Sequence, residues 1–293
     1  MYEKLNACPS CGSSKIANWK IIEDYSISKE KFALQKCLSC ELIFTNPRPD
    51  LDHIGTYYEA DHYISHTDQT NTFKDWLYKR VRYLNLRKKV RLITQLSRGR
   101  HLLDYGCGTA HFLKVAESAG FNIAGIEPND SARSQANNLL GKDKVVSTLD
   151  ALPDQKFDII TLWHVLEHVH DLNATLIHLK FLLEKHGYLI VAVPNIESPD
   201  AKLYGKHWAA LDVPRHLYHF SKTSLTHLMS AHGLKLLDTK PMKFDSYYVS
   251  LLSEQYEKNK SSYLRAFING YKSNRDAKAS NNHSSLIFIL QHA

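Results

Sequence analysis

The chain has 293 residues, of which 43% are hydrophobic and 23% are charged, an ordinary composition for a globular protein with a sizeable core. Its longest apolar runs, such as Tyr188–Val193, are far too short to cross a bilayer, and its first residues lead into no signal peptide. We therefore expect a cytoplasmic protein without membrane insertion. The net charge of +7 favours acidic partners, but this excess is modest for the length and does not separate nucleic acid from phosphorylated metabolites.

Two C-x-x-C pairs near the start of the chain predict a metal site. Cys8 and Cys11 form the first pair, and Cys37 and Cys40 form the second. Each pair makes a knuckle whose thiolates point at one ion, and two knuckles complete the four-sulfur shell that zinc prefers. Two disulfides or four free thiols are the alternatives, and a reducing compartment disfavours the disulfides. Because four protein ligands close the shell, the predicted zinc is structural.

The segments around these pairs suggest the domain limits. Residues 1–50 are interpreted as a zinc-ribbon-like module, and residues 51–98 as a linker or lid followed by a basic amphipathic helix. The lid is suggested by clustered aromatic and histidine residues, which also suit a packed linker: Tyr57, Tyr58, His62, Tyr63 and His66. The lysines and arginines of the helix are expected to form a solvated face, with phosphate binding as the alternative.

A predicted strand, a glycine turn and a predicted helix follow one another through residues 101–110, HLLDYGCGTA. The strand ends in Asp104, and the turn contains Gly106 and Gly108. Glycine lets the backbone approach a ligand closely, and the first turn of a helix offers unpaired amides. The next predicted strand ends at Glu127, where a carboxylate can accept hydrogen bonds from two ribose hydroxyls. The pattern predicts a nucleotide-like ligand at this junction.

The third small-residue position separates two classes of nucleotide ligand. A dinucleotide fingerprint needs G-x-G-x-x-G, but His111 stands where the last glycine would pack the helix against the strand. This departure disfavours NAD. The segment resembles motif I of the class I S-adenosylmethionine-dependent methyltransferases, an acid-x-Gly-x-Gly pattern followed by a small residue, here Ala110. The resemblance implies that Asp104, Gly106 and Gly108 bind S-adenosylmethionine.

Strand and helix patterns alternate after the glycine turn, which predicts a mostly parallel sheet covered on both faces. A predicted strand at residues 157–162 continues into WHVLEH, and this stretch resembles the "fDlI…vLEHv" motif of the same methyltransferases. The resemblance implies that Asp150 reads the adenine amino group, with Ala151 and Leu152 beside it. It also implies that His164 faces the methionine end of the cofactor.

These motifs predict a Rossmann-like seven-stranded methyltransferase sheet with helices on both faces, over residues 99–293. Residues 286–290 are expected to supply the antiparallel seventh strand typical of the fold. A helical insertion is predicted at residues 245–283. It is expected to contain two helices and then a polar loop, at residues 247–256, 263–271 and 273–285, respectively.

The segment from His164 to His168 also matches H-x-x-E-H, the motif of the inverted zinc peptidases. That chemistry needs the motif in the middle of a helix and a further distant ligand. Here the motif directly follows a predicted parallel strand, which disfavours a peptidase. We expect Glu167 and His168 to be helix-start and packing residues rather than metal ligands.

A long polar and aromatic loop, residues 204–221, carries the information on the acceptor. Loops beyond the carboxyl ends of parallel strands border the ligand crevice, so this loop is expected to contact the acceptor. It resembles the "prHlyhFs" signature of a bacterial methyltransferase branch and, more distantly, a segment of sugar C-methyltransferases that also carry a zinc module. The resemblance implies that His216 is the general base, with Arg215 and Tyr218 as acceptor-orienting neighbours.

Together the motifs predict methyl transfer from S-adenosylmethionine to a small-molecule acceptor by a domain that follows a structural zinc module. The resemblance to sugar C-methyltransferases implies a sugar nucleotide or glycan precursor, that is, a phosphorylated or sugar-linked acceptor, whereas the basic surface favours RNA. RNA is the first alternative, because ribosomal guanine methyltransferases also pair a zinc module with this fold. The second is a non-catalytic zinc-ribbon protein whose methyltransferase domain only senses the cofactor.

Overall fold

The computed structural model describes residues 1–58, 73–152, 155–258 and 262–293. Its N-terminal part is built from short strands: β1 (Tyr2–Glu3), β2 (Ile16–Glu23), β3 (Lys31–Cys37), β4 (Ile43–Thr45) and β5 (Arg48–Pro49). β2 and β3 form an antiparallel hairpin, and β4 adds to the other edge of β3. These strands lie within the residues interpreted as the zinc-ribbon-like module, and that interpretation stays a prediction.

A seven-stranded sheet forms the centre of the remaining chain. The later strands are β6 (His101–Tyr105), β7 (Asn122–Ile126), β8 (Val145–Val146), β9 (Phe157–Trp163), β10 (Leu183–Pro194), β11 (Tyr218–His219), β12 (Leu234–Pro241) and β13 (Ser285–His292). The order across the large sheet is β12-β13-β10-β9-β6-β7-β8. β13 runs antiparallel to both of its neighbours, and the other pairs are parallel. The predicted Rossmann-like methyltransferase sheet, including its antiparallel last strand, is confirmed.

Helices surround the sheet, and several of them begin at a side chain that caps the first turn. They are α1 (Phe73–Leu96), α2 (His111–Ser118), α3 (Asp130–Leu140), α4 (Leu172–Leu182), α5 (Pro199–Tyr204), α6 (Lys222–Ala231), α7 (Asp245–Lys258) and α8 (Tyr263–Ser280). Asn129, Asp171 and Ser221 accept hydrogen bonds from amides in the first turns of α3, α4 and α6. These bonds satisfy amides that have no partner inside the helix. In the described residues, no helix has the length and apolar character needed to span a membrane.

The strands at the centre of the sheet are apolar on both sides because both sides are covered. In β10, Leu189 and Val191 belong to the buried cluster on one face, whereas Ile190 and Ala192 belong to the cluster on the other. This alternation follows from the two-residue period of a strand. The rigid centre holds the carboxyl ends of β6, β9 and β10 at one edge, where the predicted site residues follow.

The N-terminal sheet shares a core and a strand with the large domain. Phe44 of β4 is fully buried in the same cluster as Leu162 of β9. β11, which comes from the loop after β10, pairs antiparallel with β4 through Tyr218 and Phe44 and completes a four-stranded sheet. The domain limit at residue 50 stays a prediction. The residues before and after this limit share one hydrophobic cluster and one sheet.

The insertion differs from its prediction at the last helix. α8 continues to Ser280, so the loop predicted to begin at residue 273 is wrong. Ser273 is buried and donates a hydrogen bond from its hydroxyl to Asp200 Oδ1 at 2.7 Å, and Ala277 is fully buried. The polar composition suggested a loop, but these residues pack against α5, and tertiary contacts outweigh composition.

Only the first part of the predicted lid lies within the described residues. Residues Ile54–Tyr58 form a short 3-10 helix in which Tyr57 is buried. His62, Tyr63 and His66 lie outside the described residues. The helix predicted after the lid is confirmed as α1.

A buried ion pair joins the N-terminal module to the loop that contains β11. The side chains of Arg215 and Asp24 are both fully buried, and Arg215 Nη2 lies 2.9 Å from Asp24 Oδ1. The same nitrogen donates to Asp212 Oδ1 at 2.7 Å, and Nη1 donates to the carbonyl of Tyr57 at 3.1 Å. Burial raises the pKa of the Asp24 carboxyl, but the hydrogen bonds from Arg215 and Ser28 more than offset this and hold that pKa well below its ordinary value.

We expect Asp24→Asn to lower the free energy of unfolding by about 3 kcal/mol, since removing one charge of a buried pair leaves the other uncompensated. Asp212 still pairs with Arg215 in this variant, so the expected loss of unfolding free energy is at the low end of the range for broken buried pairs. The measurement is urea unfolding at neutral pH. Because the pKa of Asp24 is depressed in the folded state, the difference should be complete above pH ~4 and should shrink as the pH falls below that value.

The matched control is Glu41→Gln, which removes a carboxylate from the exposed Lys36–Glu41 pair of the same module. Exposed pairs contribute about 0–1 kcal/mol. Equal losses in the two variants would contradict the structural importance of the Arg215–Asp24 pair.

Candidate active site

The glycine turn lies at the carboxyl end of β6 and is held to the neighbouring strand. The amides of Gly106 and Cys107 both donate to the carbonyl of Ile126, at 2.8 and 2.9 Å. Gly106 has φ +72°, and a Cβ built there would lie 2.6 Å from Val165 Cγ2, so only glycine fits. A Cβ at Gly108 would meet nothing within 4 Å. The turn therefore has one packed side and one open side, and the open side can receive a ligand.

Glu127 follows β7 and faces this turn. Its Oε2 accepts a hydrogen bond from the amide of Gly108 at 2.8 Å, and its Oε1 accepts one from the amide of Asn129 at 2.9 Å. Each carboxylate oxygen has further acceptor capacity. The two amides fix the orientation of the carboxylate beside the open face of the turn, as the ribose-binding prediction requires.

Asp104 lies beneath the turn rather than in the crevice. Its carboxyl is 3% exposed and accepts a hydrogen bond from Thr161 Oγ1 at 2.6 Å. Burial raises the pKa of Asp104 to about 7, against the opposing effects of the Thr161 hydrogen bond and the charge of Lys89.

The residues predicted to bind the adenine follow β8. Asp150 and Ala151 lie exposed in a 3-10 turn, and Leu152 next to them is half-buried.

His164 links the end of β9 to the helical insertion. Its Nε2 lies 3.0 Å from Asp245 Oδ2 at the start of α7, and its Nδ1 lies 3.3 Å from Glu167 Oε1. Burial lowers the pKa of His164, but the two carboxylates together raise it by more than burial lowers it. The resulting pKa is about 9, so the ring is a cation at neutral pH. The backbone at His164 is left-handed, with φ +59°, which turns the chain sharply after the strand.

Three side chains that could bind a metal or a proton meet beside this turn. Glu167, His168 and His216 each place one ligand atom within 4.8 Å of the other two. The His168 and His216 rings meet edge to face with 4.6 Å between centroids. Burial, followed by the proximity of His216, lowers the pKa of His168 to about 4, so that ring is neutral. Glu167 and His168 were expected to be packing residues, and both belong to the H-x-x-E-H pattern, which is the only sign of this cluster that we identify in the sequence.

Hydrogen bonds to the backbone fix the two imidazole rings. His216 Nδ1 lies 2.9 Å from the carbonyl oxygen of Ala210, and His168 Nδ1 lies 3.0 Å from the carbonyl oxygen of Arg215. The hydroxyl of Tyr58 is 2.9 Å from the same His168 nitrogen. The N-terminal cap of the following helix, α6, is Ser221, so His216 does not serve as that cap.

The two predicted neighbours of His216 are deeply buried. Arg215 points away into the ion pair with Asp24, and Tyr218 is 1% exposed. The hydroxyl of Tyr218 accepts from Arg48 Nη1 at 2.7 Å and donates to the carbonyl of His170 at 2.8 Å. Both side chains therefore contact the framework that supports the loop.

The four cysteines of the N-terminal module converge. Cys8 Sγ lies 3.5 Å from Cys40 Sγ, and Cys11 Sγ lies 3.6 Å from Cys37 Sγ. All four sulfurs are within 4.8 Å of one another. Disulfide bonds are about 2.05 Å long, whereas sulfurs about 2.3 Å from a tetrahedral zinc are about 3.8 Å apart. The separations fit a four-thiolate zinc site and do not fit disulfides.

A lysine-rich cleft of about 340 Å³ lies between α1 and the carboxyl end of β12. Its cationic lining consists of Lys88, Lys89, Lys240 and Lys243. Lys89 Nζ lies 4.3 Å from the centre of the Trp163 ring at the end of β9, so the cleft adjoins the edge that carries the site. Burial lowers the pKa of Lys89, and the carboxylates of Asp104 and Asp245 oppose that effect.

Comparisons with known proteins agree with this geometry. A model of the methyltransferase domain family matches residues 77–239, more than half of the chain. The ubiquinone biosynthesis O-methyltransferase of Actinobacillus pleuropneumoniae is 30% identical over 138 residues, which cover 42% of this chain and 59% of that protein. The protein of the same name from Coxiella burnetii is 28% identical over 158 residues, covering 48% and 66%. The chain thus matches less than two thirds of the length of either relative.

A solved structure shows the same fold at low identity. The magnesium protoporphyrin IX methyltransferase of Synechocystis PCC 6803 with bound S-adenosylmethionine superposes with a TM-score of 0.51 and is 14% identical. The superposition covers 85% of this chain and 100% of that structure. From the extent of the family match and from the sheet order, the chain belongs to the methyltransferase domain family.

Proposed function

We propose that the chain transfers a methyl group from S-adenosylmethionine to a hydroxyl of a small molecule. The observation that carries this proposal is the contact between the two halves of the site. Gly106 of the turn packs against Val165, which lies two residues before Glu167 of the acidic and histidine cluster. The turn that would hold the cofactor is therefore close to groups that can bind and deprotonate a hydroxyl. Two O-methyltransferases among the relatives support oxygen as the acceptor atom.

The described residues fit the cofactor in this arrangement. We assign the ribose hydroxyls to Glu127, the adenine to the turn of Asp150, Ala151 and Leu152, and the amino acid end to the surroundings of His164. The cofactor supplies a methyl group already activated on a sulfonium, so the protein mainly aligns the acceptor and removes its proton. Asp104 is assigned to supporting the turn from beneath, because it is buried against Thr161.

His216 is the proposed base. The carbonyl of Ala210 only accepts hydrogen bonds, so His216 Nδ1 carries a hydrogen and Nε2 of the neutral ring keeps the lone pair. That lone pair can take the hydroxyl proton as the oxygen attacks the methyl group. We assign Arg215 and Tyr218 to positioning the loop, since both are buried in contacts with the framework.

For the acceptor we propose a phosphorylated or sugar-linked small molecule. The cleft next to Trp163 is lined by four lysines, of which Lys240 also pairs with Asp238, and a volume of about 340 Å³ suits a small ligand better than a polynucleotide. This observation favours a small anionic acceptor over RNA. Screening metabolite fractions for transfer of a labelled methyl group tests the class, and labelling of RNA alone would overturn it.

We expect Glu127→Ala to weaken S-adenosylmethionine binding at least about tenfold. The variant loses an ionised acceptor for two hydroxyls, and hydrogen bonds to charged groups contribute about 1.5–3 kcal/mol. Isothermal titration calorimetry measures the change. Glu117→Gln, an acid of α2 paired with Lys114 on the surface, is the control and should bind normally. Equal affinities of Glu127→Ala and wild type, with both folded, would contradict the assignment of the ribose.

We expect His216→Asn to lower turnover roughly 100-fold or more while cofactor affinity stays within a few fold, as for loss of a general base. The measurements are labelled-methyl transfer and calorimetry on the same preparation. His178→Asn, on the exposed side of α4, controls for the general effect of losing a histidine. Near-normal turnover in His216→Asn would remove this residue from the mechanism.

We also propose that Cys8, Cys11, Cys37 and Cys40 bind one structural zinc ion. Freshly purified protein should contain zinc bound by these thiolates, and Cys40→Ser should lose it and unfold at a lower temperature because metal binding is coupled to folding of such modules. Elemental analysis and thermal denaturation measure these effects. Cys107→Ser, which changes the cysteine of the glycine turn, should keep this zinc. Retention of all metal in Cys40→Ser would refute the assignment.

A further inference from the structure

The cluster of Glu167, His168 and His216 has properties that a proton-accepting site does not need. Its three ligand atoms lie within 4.8 Å of one another, only slightly farther apart than ligands about 2.1 Å from one ion, which are separated by at most about 4.2 Å. Glu167 is fully buried, and His216 is 9% exposed. A general base requires one of these groups, whereas the structure holds three together.

Both rings direct a lone pair away from the backbone. Their Nδ1 atoms face the carbonyl oxygens of Ala210 and Arg215, which only accept hydrogen bonds, so each Nδ1 carries a hydrogen. In a neutral ring this leaves the lone pair on Nε2. Histidines that bind metals almost always donate their other ring N–H in this way, which fixes the tautomer and the ring orientation.

The carboxylate of Glu167 has a charged neighbour but few hydrogen bonds for a buried group. Among the described residues neither of its oxygens has a hydrogen-bond partner, although Oε1 lies 3.3 Å from His164 Nδ1 as a charge contact. A buried carboxylate without hydrogen bonds is costly. A carboxylate and two imidazole lone pairs also repel one another when no hydrogen or cation lies between them. His164 faces Oε1, which leaves Oε2 to pair with a cation placed among the three ligand atoms.

We infer that Glu167, His168 and His216 bind one divalent first-row transition-metal ion, a second metal site distinct from the four cysteines. Two histidines and one carboxylate are a ligand set for zinc and for iron(II), and imidazole also binds cobalt and nickel. Three protein ligands leave at least one coordination position open. The proposed position is next to the methyl donor, so the inference rests on the proposed function for its role but not for its existence.

The ion changes how the acceptor loses its proton. Held by Glu167, His168 and His216, the ion would lower the pKa of an acceptor hydroxyl at the open position, and the proton would pass to water. The resulting oxyanion forms the new oxygen–carbon bond, and the electrons of the broken carbon–sulfur bond remain on sulfur as a neutral thioether. A lone pair of His216 that binds the ion cannot take a proton, so the ligand role replaces the base role. The acceptor class that fits has a second oxygen near the first, since two oxygens chelate one ion.

Counting metal ions in variants tests the site without an activity assay. Equilibrium dialysis of the full chain against zinc chloride, followed by elemental analysis, should give about two zinc ions per chain, one for each ligand set. Glu167→Gln and His168→Asn should each reduce the count by about one relative to wild type, while the exposed control His178→Asn keeps both. A wild-type count of one, or an unchanged count in both folded variants, would overturn the inference.

A second measurement on the unaltered protein covers the case in which these variants do not fold. Cobalt(II) absorbs strongly near thiolate ligands and weakly near nitrogen and oxygen ligands, so the two sites give separate spectra on titration. We expect the thiolate bands to saturate first and a weaker band to grow with a second equivalent, as the ligand types predict. Saturation of all spectral change at one equivalent would exclude the second site.

The outcomes separate this inference from the proposed function. If S-adenosylmethionine binds and methyl transfer occurs in protein with only the cysteine-bound zinc, the role of the second ion in the reaction is wrong and the base role of His216 stands. If two ions bind but calorimetry detects no cofactor, the metal site stands and the proposed function is wrong.

Discussion

The buried guanidinium of Arg215 makes the interactions on which the proposed acceptor side of the site depends. It pairs with Asp24 from the N-terminal module and with Asp212 from its own loop, and it donates to the carbonyl of Tyr57. The next residue is His216, so these bonds set the position of its ring. The carbonyl of Arg215 also orients His168. A charge that never faces solvent thus aligns both histidines, and burial makes this alignment rigid because breaking the pair is costly.

The two halves of the site are built in different ways. The cofactor side comes from adjacent segments, since Gly106, Gly108 and Glu127 follow the ends of neighbouring parallel strands. The acceptor side comes from distant segments: Tyr58 precedes the large domain, His168 follows β9 and His216 lies in the loop after β10. Segments that are adjacent in the sheet are therefore sufficient to form the proposed cofactor side. The acceptor side is assembled by tertiary packing, which allows its shape to vary without change to the sheet.

This division explains what the sequence predicted. The sheet, the glycine turn and the cysteine cluster were foreseeable because each depends on short-range patterns: apolar runs, a glycine that only a tight turn requires, and thiols at fixed spacing. The loop predicted at residues 273–285 was wrong because the burial of Ser273 and Ala277 is a tertiary property. Arg215 was assigned to the acceptor from a motif, whereas its buried partner Asp24 is 191 positions away in the chain. The H-x-x-E-H pattern contains two members of the cluster, Glu167 and His168. The third member, His216, is distant in sequence, so the pattern does not predict it.

The pairing of β11 with β4 has a consequence for the order in which the protein forms. The N-terminal module is synthesised first, yet its four-stranded sheet includes Tyr218 and His219, which leave the ribosome only after most of the large domain. Until then β4 has an unpaired edge, and such edges invite pairing with other chains. The hairpin of β2 and β3 can form early from local contacts, whereas closing the sheet waits for a long-range contact. The sheet that contains β2, β3 and β4 is therefore completed later than its position in the sequence suggests.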